Sequence, residues 1–175
     1  PKILPTIKTF DFNKKPVLEN NKLRQKRQKD IYSKKPILKI TNLSKFYNTS
    51  PNFFTKNNEF KALNKIDLNL YPGETLGLIG ESGSGKTTLS NVILKIHSFE
   101  EGEIFYEGND VSTLKGEYLL NFRRQVQLIF QDPYASLNPL KNIMETIAEP
   151  IKYHRLIDDK NKIIDKVSEL LNDVG

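Results

Sequence analysis

The chain has 175 residues, with 27 Lys and Arg against 21 Asp and Glu and no cysteine. A chain of this length can bury one hydrophobic core, while the lack of cysteine excludes a disulfide framework and a thiolate metal site. No apolar run approaches the roughly 20 residues that span a bilayer, so the sequence predicts that any role at a membrane is peripheral.

The first 36 residues carry most of the positive charge. They contain 11 Lys and Arg against 3 Asp and Glu, and the remaining residues contain 16 against 18. Because no sustained hydrophobic period accompanies these charges, residues 1–36 are predicted to form a disordered basic extension before a folded domain at 37–175. A solvated arm is the ordinary interpretation, and contact with an anionic membrane surface or nucleic acid is the alternative. A nucleic-acid-binding domain is expected to carry positive charge on its folded part, so we expect no specific nucleic acid partner.

Two strands are predicted at the start of the folded domain. Apolar residues over 37–40 indicate the first strand, and apolar residues alternate with polar ones over 66–71. That alternation is typical of an antiparallel strand with one buried face. The polar stretch at 48–58 between them is predicted to be a long hairpin loop.

A glycine-rich loop follows the next apolar run. Residues 76–79 are apolar and predict a short strand, and after the loop Leu89, Val92, Ile93 and Ile96 recur at helical spacing. The sequence between them, GESGSGKT from Gly80 onward, fits the phosphate-binding pattern G-x-x-x-x-G-K-S/T in its required context of strand, loop and helix. We therefore predict that the chain binds ATP with Mg²⁺.

Each residue type in this loop has a chemical reason. Glycines let the backbone turn its N–H groups toward phosphate oxygens, Lys86 adds a positive charge at the outer phosphates, and Thr87 offers a hydroxyl to Mg²⁺. The amino end of the following helix adds its positive dipole. The residues predicted to contact the nucleotide here are Gly80, Glu81, Ser82, Gly83, Ser84, Gly85, Lys86, Thr87 and Thr88. The motif alone does not separate the classes of phosphate-loop ATPase and kinase from one another.

The rest of the chain is predicted to alternate strands and helices. A strand is expected over 102–106, a helix over 114–124 and a buried strand over 126–130. Helices are expected over 142–152 and 160–174, the latter with a continuous apolar stripe.

Three further segments carry a resemblance to a known family. They are VQLIFQDP with YASLNP over 126–139, PGETLGLIGESG over 72–83, and LSKFY over 43–47. In their order along the chain they resemble the ATP-binding subunits of ABC transporters, specifically the oligopeptide, dipeptide and nickel importer group. The resemblance covers roughly residues 37–175.

The resemblance implies an α/β P-loop NTPase fold: a RecA-like core with an antiparallel β subdomain and the start of the helical subdomain. It also implies an ATPase that couples ATP binding and hydrolysis to the uptake of oligopeptides or dipeptides. The implied partners are transmembrane permease subunits and a second ABC ATPase subunit, identical or different. The implied location is peripheral, at the cytoplasmic face of the cell membrane.

The resemblance assigns two more site residues. Tyr47 corresponds to the aromatic residue that stacks on adenine, although the residue pattern alone indicates only an aromatic residue that packs at a strand end. Gln131 corresponds to the residue that reaches Mg²⁺ and the attacking water, so it joins Thr87 as a metal contact and is the catalytic candidate. The alternative for Gln131 is a turn residue before Asp132. No catalytic role is expected for His97 or Glu100.

Several motifs that the resemblance calls for are not in the sequence. These are the LSGGQ-type signature, an acidic strand ending in a catalytic Glu, and a switch His. We therefore expect the chain to be the amino-terminal part of such a domain and not to hydrolyse ATP alone. One alternative is a P-loop kinase, which would need a lid of arginines. The only two adjacent arginines in the sequence are Arg123 and Arg124. An ABC-type ATPase of translation or DNA repair is the other alternative.

Overall fold

The structure is a computed structural model that describes residues 20–48, 59–130, 132 and 137–175. These residues belong to two compact units, one within Glu19–Leu128 and one within Ile129–Gly175. The predicted hairpin loop, apart from its first residue, and the Gln131 assignment lie outside the described residues, as do residues 1–19 of the basic extension.

An antiparallel sheet organises the first unit. Its strands are β1 (Leu38–Asn48), β2 (Glu59–Leu70), β3 (Glu101–Tyr106) and β4 (Asn109–Asp110), in the order β2-β1-β3-β4. Strand β1 pairs antiparallel with both β2 and β3. The predicted strands at 37–40, 66–71 and 102–106 are thus confirmed, and the alternating pattern correctly indicated an antiparallel pair.

Two helices cover one face of this sheet. Helix α2 (Lys86–Ile93) contributes Leu89 and Val92 to the core, and α3 (Gly116–Gln125) contributes Phe122. A 3-10 helix, Val111–Thr113, precedes α3. The side chains that share this core are Leu38, Ile40, Leu43, Leu63, Leu89, Val92, Ile104, Val111 and Phe122. Burial of side chains of this size contributes about 1.5 to 3 kcal/mol each, so this cluster holds the sheet and the two helices together.

The strands predicted at 76–79 and 126–130 are not formed. Ile79 is 98% exposed, and Ile129 is 94% exposed although the strand at 126–130 was expected to be buried. A strand satisfies its backbone N–H and C=O groups only by pairing with a neighbour. No strand among the described residues pairs with either segment, so the apolar sequence alone does not make them strands.

Part of the basic extension is helical, contrary to the expectation of disorder over 1–36. Helix α1 spans Asn21–Tyr32, and the Asn20 side chain caps it by accepting a hydrogen bond from the Lys22 N–H at 3.0 Å. At its other end Ile31 is buried. The Tyr32 hydroxyl donates to Glu74 Oε1 at 3.0 Å, and its ring packs edge-on against Tyr71. These long-range contacts anchor the helix, and hydrophobic periodicity could not reveal them because only one residue of α1 is buried.

The second unit contains a pair of helices. Helix α4 (Ile143–Tyr153) and helix α5 (Lys160–Val174) match the predicted helices at 142–152 and 160–174. A capping box between Asn142 and Glu145 begins α4. The two helices share a small core of Ala148, Ile151, Ile163 and Val167. Within the residues described, no helix combines the length and the apolar character needed to cross a membrane.

Candidate nucleotide-binding site

The glycine-rich loop packs closely against strand β2. Gly85, the residue before α2, has φ +91°, and a Cβ there would collide with the backbone oxygen of Ala62 and lie 3.1 Å from Leu63 Cδ2. Gly83 also has a positive φ, +80°. Side-chain-bearing residues rarely adopt this backbone conformation, so glycine is required at both positions for the chain to turn into the helix.

Helix α2 begins directly at the end of this loop. Its amino-cap is Gly85, which offers no side chain to the first-turn N–H groups, and α2 has no acidic residue in its first turn. The first N–H groups of any helix have no partner within the helix, and the helix dipole gives this end a partial positive charge. The end of the loop is therefore built to accept an anion.

Lys86 folds back over the loop. Its Nζ donates to Gly80 O at 2.8 Å, to Glu81 O at 2.6 Å and to Ser84 Oγ at 3.1 Å. A Cβ on Gly80 would lie 2.7 Å from Ser84 Oγ, so a larger residue at position 80 would require the Ser84 hydroxyl to move. The lysine thus brings a full positive charge to the place where the loop glycines turn.

The hydroxyl next to this lysine is available to a ligand. Thr87 is exposed, and within the described ranges its side chain has no hydrogen-bond partner, whereas Thr88 is half-buried. An exposed hydroxyl next to this lysine suits Mg²⁺, a hard cation that prefers oxygen ligands. Thr87 therefore fits the predicted metal contact.

Tyr47 is fixed in place by two neighbours at the end of β1. Its hydroxyl makes a hydrogen bond of 2.9 Å with His97 Nδ1, and the two rings meet edge to face. The Lys45 Nζ lies 5.1 Å from the centroid of the Tyr47 ring, within the range of a cation–π contact. The ring is therefore held before any ligand contacts it.

An ion pair between a buried lysine and a more exposed glutamate supports this arrangement. Lys45 Nζ and Glu100 Oε1 are 2.7 Å apart, and Lys45 is only 7% exposed. The Phe46 N–H donates to the other carboxylate oxygen of Glu100 at 2.7 Å. Burial alone would favour the neutral acid, but the hydrogen bonds from Lys45 and from the Phe46 N–H hold the pKa of Glu100 below its ordinary value.

An irregular register in β1 makes the ion pair possible. The pairing of β1 with β2 shifts between Leu43 and Lys45 and again between Lys45 and Phe46. Leu43, Ser44 and Lys45 are consequently all buried, instead of alternating between the two faces. The bulged strand therefore turns the Lys45 side chain inward, where it meets Glu100.

The loop and Tyr47 meet the same part of the β1–β2 pair. Gly85 contacts Ala62 of β2, Leu63 pairs with Lys45 of β1, and Tyr47 lies two residues further along that strand. Two residues of a strand span about 7 Å. Gly85 and Tyr47 thus lie along the same stretch of the β1–β2 pair. That residues 80–88 and Tyr47 form one site stays a prediction, and Gln131 lies outside the described residues.

Sequence reasoning missed the supporting residues of the site. His97 and Glu100 were given no role, and Lys45 was not singled out. The Tyr47–His97 contact joins residues 50 apart in sequence, and the Lys45–Glu100 contact joins residues 55 apart. No local spacing could therefore have indicated them. The structure also has a cavity of about 730 Å³, lined by Lys35, Ile37 and Phe105 among others. No residue of the glycine-rich loop lines this cavity.

Comparisons with known proteins agree with this geometry. Residues 63–175 match the family described as ABC transporter. The oligopeptide transport ATP-binding protein OppF of Streptococcus mutans is 43% identical over 82% of this chain and 45% of its own length. The dipeptide transport ATP-binding protein DppF of Lactococcus lactis is 42% identical over 81% of this chain and 44% of its own.

Further matches extend to other import proteins and to a solved structure. The glutathione import ATP-binding protein GsiA of Escherichia coli K12 is 40% identical over 85% of this chain and 24% of its own length. The ATP-binding cassette MJ0796, solved as a dimer in a post-hydrolysis state with ADP and Pi, matches with a TM-score of 0.61 and 26% identity, over 77% of this chain and 56% of that chain. The chain thus spans less than half the length of these curated relatives.

Proposed function

The chain belongs to the ABC transporter family, and from this membership we propose that it is the amino-terminal part of an importer subunit that couples ATP binding and hydrolysis to peptide uptake. Its fold is that of the ABC ATP-binding cassettes, the α/β P-loop NTPase class predicted from the sequence. The relatives are named for oligopeptide, dipeptide and glutathione import. We therefore assign the cargo to the class of short peptides.

The observation that carries this proposal is the loop closed around Lys86. Gly83 and Gly85 adopt the positive φ that the turns of the loop require, and Lys86 Nζ lies among the loop oxygens. Phosphate oxygens can replace those loop oxygens as acceptors, because each hydrogen bond between charged groups is stronger than one to a neutral carbonyl. The first-turn N–H groups of α2 complete the anion site.

The remaining site residues divide the nucleotide between them. Tyr47 is proposed to stack on the adenine, since its ring is already held by His97 and Lys45. Thr87 and Gln131 are proposed to hold Mg²⁺, which when bound neutralises charge that develops on the phosphate oxygens. Gln131 is also proposed to orient the attacking water, for which its amide offers both a donor and an acceptor.

The proposed partners follow from the same family. A second ATP-binding subunit is proposed because the matched cassette was solved as a dimer. Transmembrane permease subunits are proposed because the relatives are import ATP-binding proteins, and the site of action is then the cytoplasmic face of the membrane. The kinase alternative would need Arg123 for a lid over the phosphates. Arg123 Nη2 instead donates to the Lys95 carbonyl oxygen at 3.4 Å.

Two measurements test the proposal. Titration calorimetry of the 175-residue chain with Mg-ATP is expected to show saturable binding that Lys86→Ala weakens. In cells that depend on the intact importer, the same substitution in the full-length subunit is expected to abolish uptake of a labelled tripeptide. Normal peptide uptake by a variant that has lost ATP binding would exclude the transport role while leaving the nucleotide site intact.

A further inference from the structure

Helix α1 is basic and almost entirely exposed. It contains five Lys and Arg against a single acid, Asp30. Ile31 is buried, and the other eleven residues of the helix are exposed. The helix is anchored by Ile31 and by Tyr32, which contacts Glu74 and Tyr71. Its body therefore presents charge to the surroundings and contributes little to the core.

The lysines of α1 form one stripe on the side opposite its anchor. Lys22, Lys26 and Lys29 are spaced i, i+4 and i+7, which places them within an arc of about 60° on a helix of 100° per residue. By the same geometry Ile31 lies about 180° from the middle of that arc. Because Ile31 points into the core, the stripe points outward, over a length of about 10 Å. We call Lys22, Lys26 and Lys29 the lysine stripe.

Within the helix, this arrangement is electrostatically unfavourable. Like charges at i, i+3 and i, i+4 repel each other, and Lys22 lies in the first turn, where the helix dipole is positive and no acidic residue offsets it. No ion pair involves the lysine stripe in the part of the chain that the structure describes, whereas the nearby Lys34 pairs with Asp30 at 3.3 Å. An external anionic surface would relieve the repulsion that residues 20–48, 59–130, 132 and 137–175 leave without an ion pair.

We propose that the lysine stripe is a contact surface for anionic lipid headgroups. This proposal rests on the proposed function in one respect, which is that the protein works at a membrane. A short straight row of lysines can touch a plane along its whole length, and each basic residue near an anionic leaflet adds to the attraction. The helix has no apolar face, since Leu23 is its one exposed aliphatic residue. The contact is therefore superficial and salt-sensitive, without insertion into the acyl region.

Lipid fits this surface better than nucleic acid does. The residues after 36 carry 16 basic against 18 acidic side chains, so the folded part offers no positive track along which a nucleic acid strand could continue. Aromatic side chains for base stacking are also missing from the exposed side of α1, because its only aromatic residue, Tyr32, packs against Tyr71.

Vesicle co-sedimentation of the 175-residue chain tests the proposal. The probes are phosphatidylcholine vesicles with and without about 30% phosphatidylglycerol, at about 50 mM and about 300 mM salt. The wild-type chain is expected to bind the anionic vesicles at low salt only. Lys22→Gln with Lys26→Gln and Lys29→Gln is expected to reduce the partition coefficient by about 100-fold, which is about fivefold per lysine.

A matched control separates position from net charge. Lys152, Lys160 and Lys162 are exposed lysines of the second unit, and changing all three to Gln removes the same charge from elsewhere. This control is expected to keep most of the binding, as is the conservative triple Lys→Arg change in the stripe. Gln and Lys have similar helix propensity, and far-UV circular dichroism checks that α1 persists.

Three results would overturn the proposal. They are equal losses in the stripe and control variants, no preference for anionic vesicles, or binding to single-stranded RNA that depends on the stripe without binding to vesicles. Mg-ATP affinity is measured on the same samples. If ATP binding is absent while stripe-dependent vesicle binding is present, the proposed function fails and the lipid contact stands.

Discussion

Substitutions at Tyr47 separate the contribution of its ring from that of its hydroxyl group. Tyr47→Ala removes the surface on which adenine is proposed to stack, and base–aromatic stacking contributes about 1 to 3 kcal/mol. The expected loss of Mg-ATP affinity is therefore about 5- to 150-fold. Tyr47→Phe keeps the ring but loses the 2.9 Å hydrogen bond to His97. A neutral hydrogen bond contributes about 0.5 to 1.5 kcal/mol, so the expected loss is at most about tenfold.

The structure further predicts that the Tyr47 hydroxyl acts through His97. The His97→Ala chain should lose as much affinity as Tyr47→Phe does, and the double variant should lose no more than either single one. Titration calorimetry with Mg-ATP gives all four affinities. Inorganic tripolyphosphate serves as the control ligand because it has no base, and its affinity should not change in any of these variants.

Two outcomes would refute this reasoning in different ways. If Tyr47→Ala and Tyr47→Phe lose the same affinity, the ring does not stack on the base and only the hydroxyl matters. If tripolyphosphate binding falls together with ATP binding, Tyr47 supports the fold of the phosphate loop and does not contact adenine. Additive losses in the double variant would show that His97 acts independently of Tyr47.

The remaining predictions concern the phosphate loop, the Lys45–Glu100 ion pair and turnover. Lys86→Ala should weaken Mg-ATP by about 10- to 100-fold, since hydrogen bonds to charged groups contribute about 1.5 to 3 kcal/mol; unchanged calorimetric affinity would remove the phosphate-loop assignment. Glu100→Gln should lower the free energy of unfolding near neutral pH by about 1 kcal/mol, because Lys45 loses a charged partner whose exposed carboxylate is partly screened by water. Since the folded-state pKa of Glu100 is lowered, the stability that Glu100 contributes is present above the unfolded-state pKa and is lost as pH falls through the folded-state pKa. Urea titrations should therefore show that the free energies of unfolding of the wild type and Glu100→Gln become equal in acid. A difference that stays constant with pH would contradict the ion-pair interpretation. The 175-residue chain should release phosphate from ATP only at background rate, because Gln131 without a general base does not activate water; turnover that Lys86→Ala abolishes would show that the chain contains its own base.

Some features of this protein were predictable because they depend on neighbours in sequence. The loop over 80–88 works through its own backbone, so the order of glycines and Lys86 is enough to indicate phosphate binding. Helix α5 was predicted with its observed ends because its apolar residues recur at helical spacing, and in the structure Asp159 caps it. The alternation over 66–71 likewise indicated an antiparallel pair, which β1 and β2 form.

Other features were decided by contacts between distant residues. The apolar runs at 76–79 and 126–130 have strand-like sequences, yet a strand exists only where a second strand accepts its hydrogen bonds. Helix α1 contradicts the predicted disorder because Tyr32 reaches Glu74, 42 residues away. The composition of residues 1–36 contains no information about such a long-range contact.

The sequence by itself indicated the phosphate loop, the strand that alternates over 66–71 and helices α4 and α5, because each signal lies within one short segment of chain. Only the tertiary structure decided how Tyr47 is held. A shift in strand register turns Lys45 inward, where it pairs with Glu100, 55 residues away in sequence. His97, which lies with Glu100 between α2 and β3, makes a hydrogen bond with the tyrosine hydroxyl. Such a network forms only when the core has already brought these segments together, so the spacing of its members along the chain carries no trace of it.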